Sequence, residues 1–323
     1  MTLPLFILGA GLSFLFLTFV FTPLEKLFPA RPQSFLRPNW TTDLAFFLGQ
    51  YLVWGGAVLA GLQAFRHWLD AFVPAGFRSM IAGQPWWIQA VEVIFLSDLL
   101  IYWGHRLQHR NTFLWRFHSI HHGAEHLDWL AAHREHPLDT VYTMGLINLP
   151  AFIIGFRLEA LAGLLAFRGL WAIYIHSNVR LPLGPLRMLI GAPELHHWHH
   201  SREREAGNYA NISPLMDLLF GTYRCPSHEP DAFGVSEPIP KGYLPQLVHP
   251  FRFAWRKRTR PRKLLSAQDS APRPEPNFAN TAFRHFLRTP LNTASTRRLN
   301  TPTNESPRFA PSQSDHNINA ADR

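Results

Sequence analysis

Uncharged apolar runs alternate with polar, histidine-bearing segments along the first 250 residues of the chain. Leu3 to Phe21 carries no charge and is long enough to cross a bilayer, which takes about 20 residues. A cleaved leader would show a basic start and a small-residue cleavage site. Here the first charges, Glu25 and Lys26, follow the run, which therefore reads as a retained helix. Pro29, Pro32 and Pro38 keep the next connector irregular. Leu44 to Phe65 is a second charge-free span, and the mixed connector Arg66 to Pro85 is expected along the interface. Trp86 to Trp103 is a third span, with Trp86 and Trp87 at one end and Tyr102 and Trp103 at the other, as interfacial belts require. Leu138 to Phe156 and Leu158 to Ile175 pair about Gly155 and Arg157 as a helical hairpin that crosses the bilayer or dips into it. The expected fold is all-α: membrane-spanning helices in residues 1–104, then a helical His-rich metal domain in residues 105–250, with the hairpin at 138–175. Four to five crossings are predicted in all.

Charge locates the remainder. The formal net charge is +9, and from Phe251 onward 14 Lys and Arg stand against 5 Asp and Glu, so the whole excess lies in the tail 251–323. Its run Arg256-Lys-Arg-Thr-Arg-Pro-Arg-Lys263 and the Pro, Asn, Ser and Thr-rich stretch after it read as disordered. Beside membrane helices such a run points to anionic lipid head groups. No nucleic-acid fold signature accompanies it, so nucleic acid is not an expected partner. Lys26, Arg31 and Arg37 in the first connector, with eight arginines in the histidine-bearing segments, outweigh Arg66, Arg78 and Arg157 in the opposite loops. That bias puts the clusters and the C-terminus in the cytosol, with the chain in the cell inner membrane. The single Cys225 excludes an internal disulfide and a CxxC zinc site, leaving metal chemistry to histidine.

Thirteen of the 18 histidines fall between His105 and His200. His105 and His109 are four apart; His118, His121 and His122 stand at i, i+3, i+4, and His196, His199 and His200 repeat that spacing. Residues three and four apart share a helix face, so each run turns its imidazoles one way. Imidazole suits zinc, copper, iron and nickel, and this many rings suits a pair of metals. His197 falls off the shared face, as a surface or supporting polar group. Asp98, two turns before His105, is either a polar contact between helices or an acceptor for a ligand imidazole. His133 and His136 in His133-Arg-Glu-His136 do not form HExxH, so the zinc-protease helix is absent. Pro214 to Tyr223 is a short amphipathic segment capped by Gly221, expected to dock on the cytosolic domain or the membrane surface.

The ordered set DLLIYWGHRLQH from Asp98, HSIHH from His118, REHPLD from Arg134, HSN from His176, HHWHHS from His196 and NYANISPLMDLLFGTY from Asn208 resembles the fatty acid hydroxylase and sterol desaturase superfamily of membrane di-iron enzymes. The resemblance covers roughly residues 90 to 235. It implies two iron ions held by His105, His109, His118, His121, His122, His136, His176, His196, His199 and His200, with zinc able to substitute in preparations. It implies an O2-dependent hydroxylase or desaturase acting on a lipid from the bilayer, whether sterol-like, fatty acyl or aminolipid. The chain has no HPGG-type haem motif, so electrons would come from a separate donor protein of an external reductase chain. Asp98 and Asn178 are the supporting candidates around the ligands. His133 departs from the family pattern, where a small hydroxyl residue is more usual. The competing class is a membrane metal transporter or metal-binding protein. A transporter needs polar groups through its spans, and these spans hold only Glu92, Asp98, Glu159 and Arg168.

Overall fold

A computed structural model describes residues 3–155 and 162–252. The regular elements among the described residues are all helical, with two isolated β-bridges and no strand. The basic tail and Arg157 lie outside them.

Helix α1 (Leu3–Leu27) leads into α2 (Trp40–Gly49), which a π-helical turn at Gln50–Trp54 joins to α3 (Gly55–Asp70) as one continuous rod. The short α4 (Ala75–Ala82) precedes α5 (Trp86–Arg110), α6 (Thr112–His122) and α7 (Pro137–Ile154). Then come α8 (Ala162–His176), α9 (Pro193–His199), α10 (Leu215–Leu219) and α11 (Tyr243–Val248). Four rods are long and apolar enough to cross a membrane: α1, the α2–α3 rod, α5 and α7. Leu8, Leu12, Leu15 and Phe19 of α1 are all exposed, as an acyl-chain environment allows. α8 brings the chain back from the far end of α7, but its described length of 15 residues falls short of a span.

The helices meet in register at one end. Glu25 near the end of α1 accepts from the backbone N–H of Trp129 at 2.8 Å and of Asn178 at 3.1 Å. At the start of α2, Asp43 pairs with Arg37 at 2.7 Å and also with Arg134. The same Arg37 grips Asp128 through two 2.5 Å bonds, making a buried network of four charges. At the opposite end Ile81, Val93, Ala151 and Ile154 form a small apolar cluster.

Two local features differ from expectation. The third span does not stop at Trp103: α5 continues as one helix to Arg110, so His105 and His109 ride on the span itself. Its 25 residues make about 37 Å, longer than the roughly 30 Å hydrocarbon core by a little over one turn. Asn111 then breaks the helix and caps α6 by accepting from the N–H groups of Phe113 and Leu114. α5 also approaches α7 closely at Gly104, where a Cβ would stand 2.1 Å from Cδ1 of Leu146.

Candidate metal centre

Nine imidazoles converge between α5, α6, α8 and α9, in two groups. His105, His109, His118, His122 and His199 form one; His121, His176, His196 and His200 form the other. Within each group one nitrogen per ring lies within 4.8 Å of every other. The spacings divide in an instructive way. The i, i+4 pairs His105/His109, His118/His122 and His196/His200 stay together, whereas the i+3 members His121 and His199 go to the opposite group. Each histidine run on α6 and α9 therefore serves both groups, and His122 stacks on His200 at 4.2 Å between centroids where they adjoin.

Hydrogen bonds at Nδ1 fix which nitrogen six of the nine rings present, whereas Nδ1 of His196 and of His200 is buried without a partner. A carbonyl oxygen only accepts, so a ring nitrogen facing one must carry the proton. Nδ1 of His105 donates to Tyr209 at 2.9 Å, Nδ1 of His109 to Arg204, and Nδ1 of His199 to Gly207 at 2.8 Å. In the second group Nδ1 of His121 donates to Arg134 at 3.1 Å and Nδ1 of His176 to Ala172 at 2.6 Å. His118 Nδ1 faces the Asp139 carboxylate at 2.9 Å. The Nε2 atoms face one another: His105 to His118 at 3.0 Å, His176 to His121 and to His196 at 2.9 Å, and His200 to His196 at 3.0 Å. Nε2 of His109, His122 and His199 is buried with no partner. Converging lone pairs repel unless a cation lies between them, and metal-bound imidazoles donate their other N–H to a carbonyl or carboxylate. The donor set fits metal ions. Burial pushes His118, His121, His122, His196, His199 and His200 well below the usual imidazole range, so they stay neutral and able to ligate.

The loops that present these carbonyls are themselves held. Asp217 in α10 accepts from the N–H groups of Tyr209 and Ala210 at 2.8 and 2.9 Å and from the Thr222 hydroxyl at 2.7 Å. That ties down the segment whose Tyr209 carbonyl meets His105, so α10 organises the site as well as packing against it. Gly207, with φ +88°, passes so near Thr222 that a Cβ would meet its carbonyl oxygen at 2.2 Å. Only glycine lets this carbonyl reach His199.

Several residues fall elsewhere than the sequence suggests. His136 joins neither group: its Nδ1 accepts from the N–H of Leu138 as the cap of α7, and its Nε2 donates to the Leu247 carbonyl at 3.1 Å. Both nitrogens are engaged. Asp98 contacts no imidazole; it accepts from the N–H groups of Ile212 and Ser213, each at 3.2 Å, and so steadies the Tyr209 loop at one remove. Asn178 bonds the main chain of Arg31 in both directions, at 3.0 and 2.9 Å, locking the first connector instead of a ring. His197 is off the shared face as expected but fully buried, between Glu229 at 2.7 Å and the Ser177 carbonyl at 3.1 Å. His133 faces Gln50 at 3.0 Å. Asp139 was not singled out in the sequence, although it lies in the quoted REHPLD; nothing in the linear pattern says it reaches back to His118.

Both histidine groups border one cavity of about 260 Å³, with His105, His118, His121, His176 and His196 on one wall and Ile101, Met144, Ile147 and Ile173 on another. Glu135 lines it too, its carboxyl pushed upward by burial and by the Asp139 carboxylate.

Fold and site together define a membrane-helix protein with two adjoining imidazole groups. Residues 90–222 match the family model described as fatty acid hydroxylase. The chain is 31% identical over 193 residues to the ornithine lipid hydroxylase OlsE of Rhizobium tropici, covering 58% of each chain. It is 33% identical over 161 residues to the alkylglycerol monooxygenase of Homo sapiens, covering 48% of this chain and 34% of that protein. It is also 31% identical over 134 residues to the Delta(7)-sterol 5(6)-desaturase ERG3A of Gibberella zeae, covering 41% and 37%. The match thus spans little more than half of the first relative and about a third of the others. No solved structure matches the chain.

Proposed function

We propose that the protein is a membrane-bound, O2-dependent oxygenase that oxidises a C–H bond of a lipid with two iron ions. His105, His109, His118, His122 and His199 would hold one ion and His121, His176, His196 and His200 the other. The observation that carries this is the facing Nε2 atoms, 2.9 to 3.0 Å apart, with the Nδ1 protons of His105, His121 and His176 committed to carbonyls behind them. Iron supplies the redox chemistry with dioxygen that zinc lacks. The similarity to a lipid hydroxylase, a monooxygenase and a desaturase supports oxidation of a lipid; hydroxylation or desaturation is for the product to decide.

The protein's own part is positional. Tyr209, Arg204, Gly207, Arg134 and Ala172 fix ring tautomers, so the site needs no reorganisation to ligate. Ile101, Met144, Ile147 and Ile173 give the cavity an apolar part that can take a lipid chain. Glu135, receiving the Thr140 hydroxyl at 2.9 Å, holds a proton on its carboxyl at the cavity wall. Electrons come from a separate donor, and the histidine end and tail face the cytosol in the inner membrane.

Metal analysis of protein from iron-replete cells tests the proposal. Two irons per chain are expected, and one or fewer with all nine rings intact would overturn it. Comparing the lipids of a deletion strain with its parent then identifies the accumulated substrate and the missing product.

A further inference from the structure

A second cavity, of about 450 Å³, lies between α3, α7 and α8. It shares Met144, Ile147, Gly169, Ala172 and Asn211 with the histidine cavity, so the two adjoin. Leu59, Leu62 and Phe152 add apolar wall, and Gln63, Asn148 and a second arginine, Arg66, add polar groups. Arg168 stands in this wall. It is only 5% exposed, and Nε, Nη1 and Nη2 are all buried with no hydrogen-bond partner. No carboxylate among the described residues lies within ion-pair distance of it. Asp98, whose charge it senses, has its own oxygens taken up by Ile212 and Ser213. A buried guanidinium with no hydrogen-bond partner is costly, which points to a ligand that completes it.

We infer that Arg168 is an anion-reading residue: it receives the carboxylate or phosphate group of an acyl lipid in the cavity beside the histidine pocket. The planar fork of a guanidinium matches two oxygens of either group, which a lysine cannot do. The apolar walls receive the acyl chain. Arg168 precedes His176 by eight residues on α8, about 12 Å along the helix axis, so a chain anchored at Arg168 reaches the histidines with a carbon about that far from its charged end. The inference rests on the reading that this pair of cavities takes a lipid, and it narrows that lipid to an anionic one.

The test uses the full chain, iron-loaded, in phosphatidylcholine nanodiscs. Three photoactivatable probes carry the same mid-chain diazirine: a palmitate, its methyl ester, and a phosphatidic acid. Labelled peptides are mapped by mass spectrometry and iron is counted in each sample. At least one anionic probe is expected to label α7 or α8 tenfold more than the ester, and the stronger of the two shows whether carboxylate or phosphate is read. Arg168→Gln should reduce that labelling to the level of the ester with iron unchanged, and Arg168→Lys should fall between. Equal labelling by ester and both anionic probes overturns the inference. So does an Arg168→Gln protein that keeps its iron and the wild-type preference. If neither variant inserts, the wild-type comparison and the position of the label decide. The oxygenase reading fails separately: selective anionic labelling without any oxidised product, given an electron donor, leaves Arg168 as the anion reader and removes the oxygenase. Equal oxidation of acid and ester does the reverse.

Discussion

His199 and His197 are two residues apart in one short helix, both completely buried, yet they do different work. His199 offers a bare Nε2 to the five-ring group, whereas His197 spends both nitrogens on Glu229 and Ser177. His199→Ala is therefore expected to lower iron from two per chain to one or fewer. His197→Ala should keep both irons and lower the melting temperature, since leaving buried polar partners unsatisfied costs roughly 1–3 kcal/mol. Metal analysis and a thermal melt on the same samples separate the two outcomes. His136→Ala belongs beside them. With one nitrogen capping α7 and the other bonded to Leu247, its loss should leave iron intact and cost about 0.5–2 kcal/mol, as a lost cap does. Loss of iron in that variant would restore His136 to the ligand set. Asp139 is the opposite case, a residue without a ligand's position that acts on one. Removing it by Asp139→Ala frees Nδ1 of His118 and should weaken metal affinity about 10–100-fold, measured by chelator competition.

Between elements the decisive contact is α5 against α7, because α5 carries His105 and His109 while α7 carries Asp139. Gly104 sets their separation. A Cβ there meets Cδ1 of Leu146 at 2.1 Å and the Tyr142 hydroxyl at 3.2 Å. Gly104→Ala should destabilise by about 1–3 kcal/mol through overpacking. Because the nearest atom is a side-chain end, Leu146→Ala in the same chain should recover most of the loss. A double-mutant cycle in denaturation reads that coupling directly, and strict additivity would show that the approach at Gly104 does not limit packing. The four-charge network of Arg37, Asp43, Asp128 and Arg134 works similarly at the other flank, since Arg134 supplies the carbonyl that orients His121.

For the whole molecule, burying this many neutral imidazoles links stability to pH. In metal-free protein, burial depresses His118, His121, His122, His196, His199 and His200, whereas the unfolded chain protonates near pH 6.5. Below about 6.5 the unfolded state binds more protons than the folded one. Stability is then full above that value and falls as pH drops, by at most about 1.4 kcal/mol per group per pH unit. Apo protein should melt at a lower temperature at pH 5.5 than at pH 7.5, and iron should be shed over the same range as protons compete for the ligand nitrogens. A flat melting profile between those values would mean the rings are not buried neutral.

What the linear pattern determined follows from composition acting locally. Apolar runs of bilayer length with few or no charges specify spans whatever their neighbours are, and α1, the α2–α3 rod, α5 and α7 cover those runs, with α5 continuing past its own. Helical spacing likewise showed that each histidine run shares a face, because i, i+3 and i+4 neighbours are a property of one helix. It could not show that the face is divided, with His121 and His199 sent to the opposite group from their i+4 partners. That division depends on where α6 and α9 cross each other and α5, which is a matter of packing. The supporting groups were beyond reach for the same reason. Carbonyls of Tyr209, Gly207 and Arg134 carry no side-chain signature, and Asp139 meets His118 only once α7 packs on α6. His136 read as one histidine among many until the fold gave both its nitrogens to the backbone. Residue type and helical periodicity set which chemistry the chain carries; the crossing of its helices decided which nitrogen faces which.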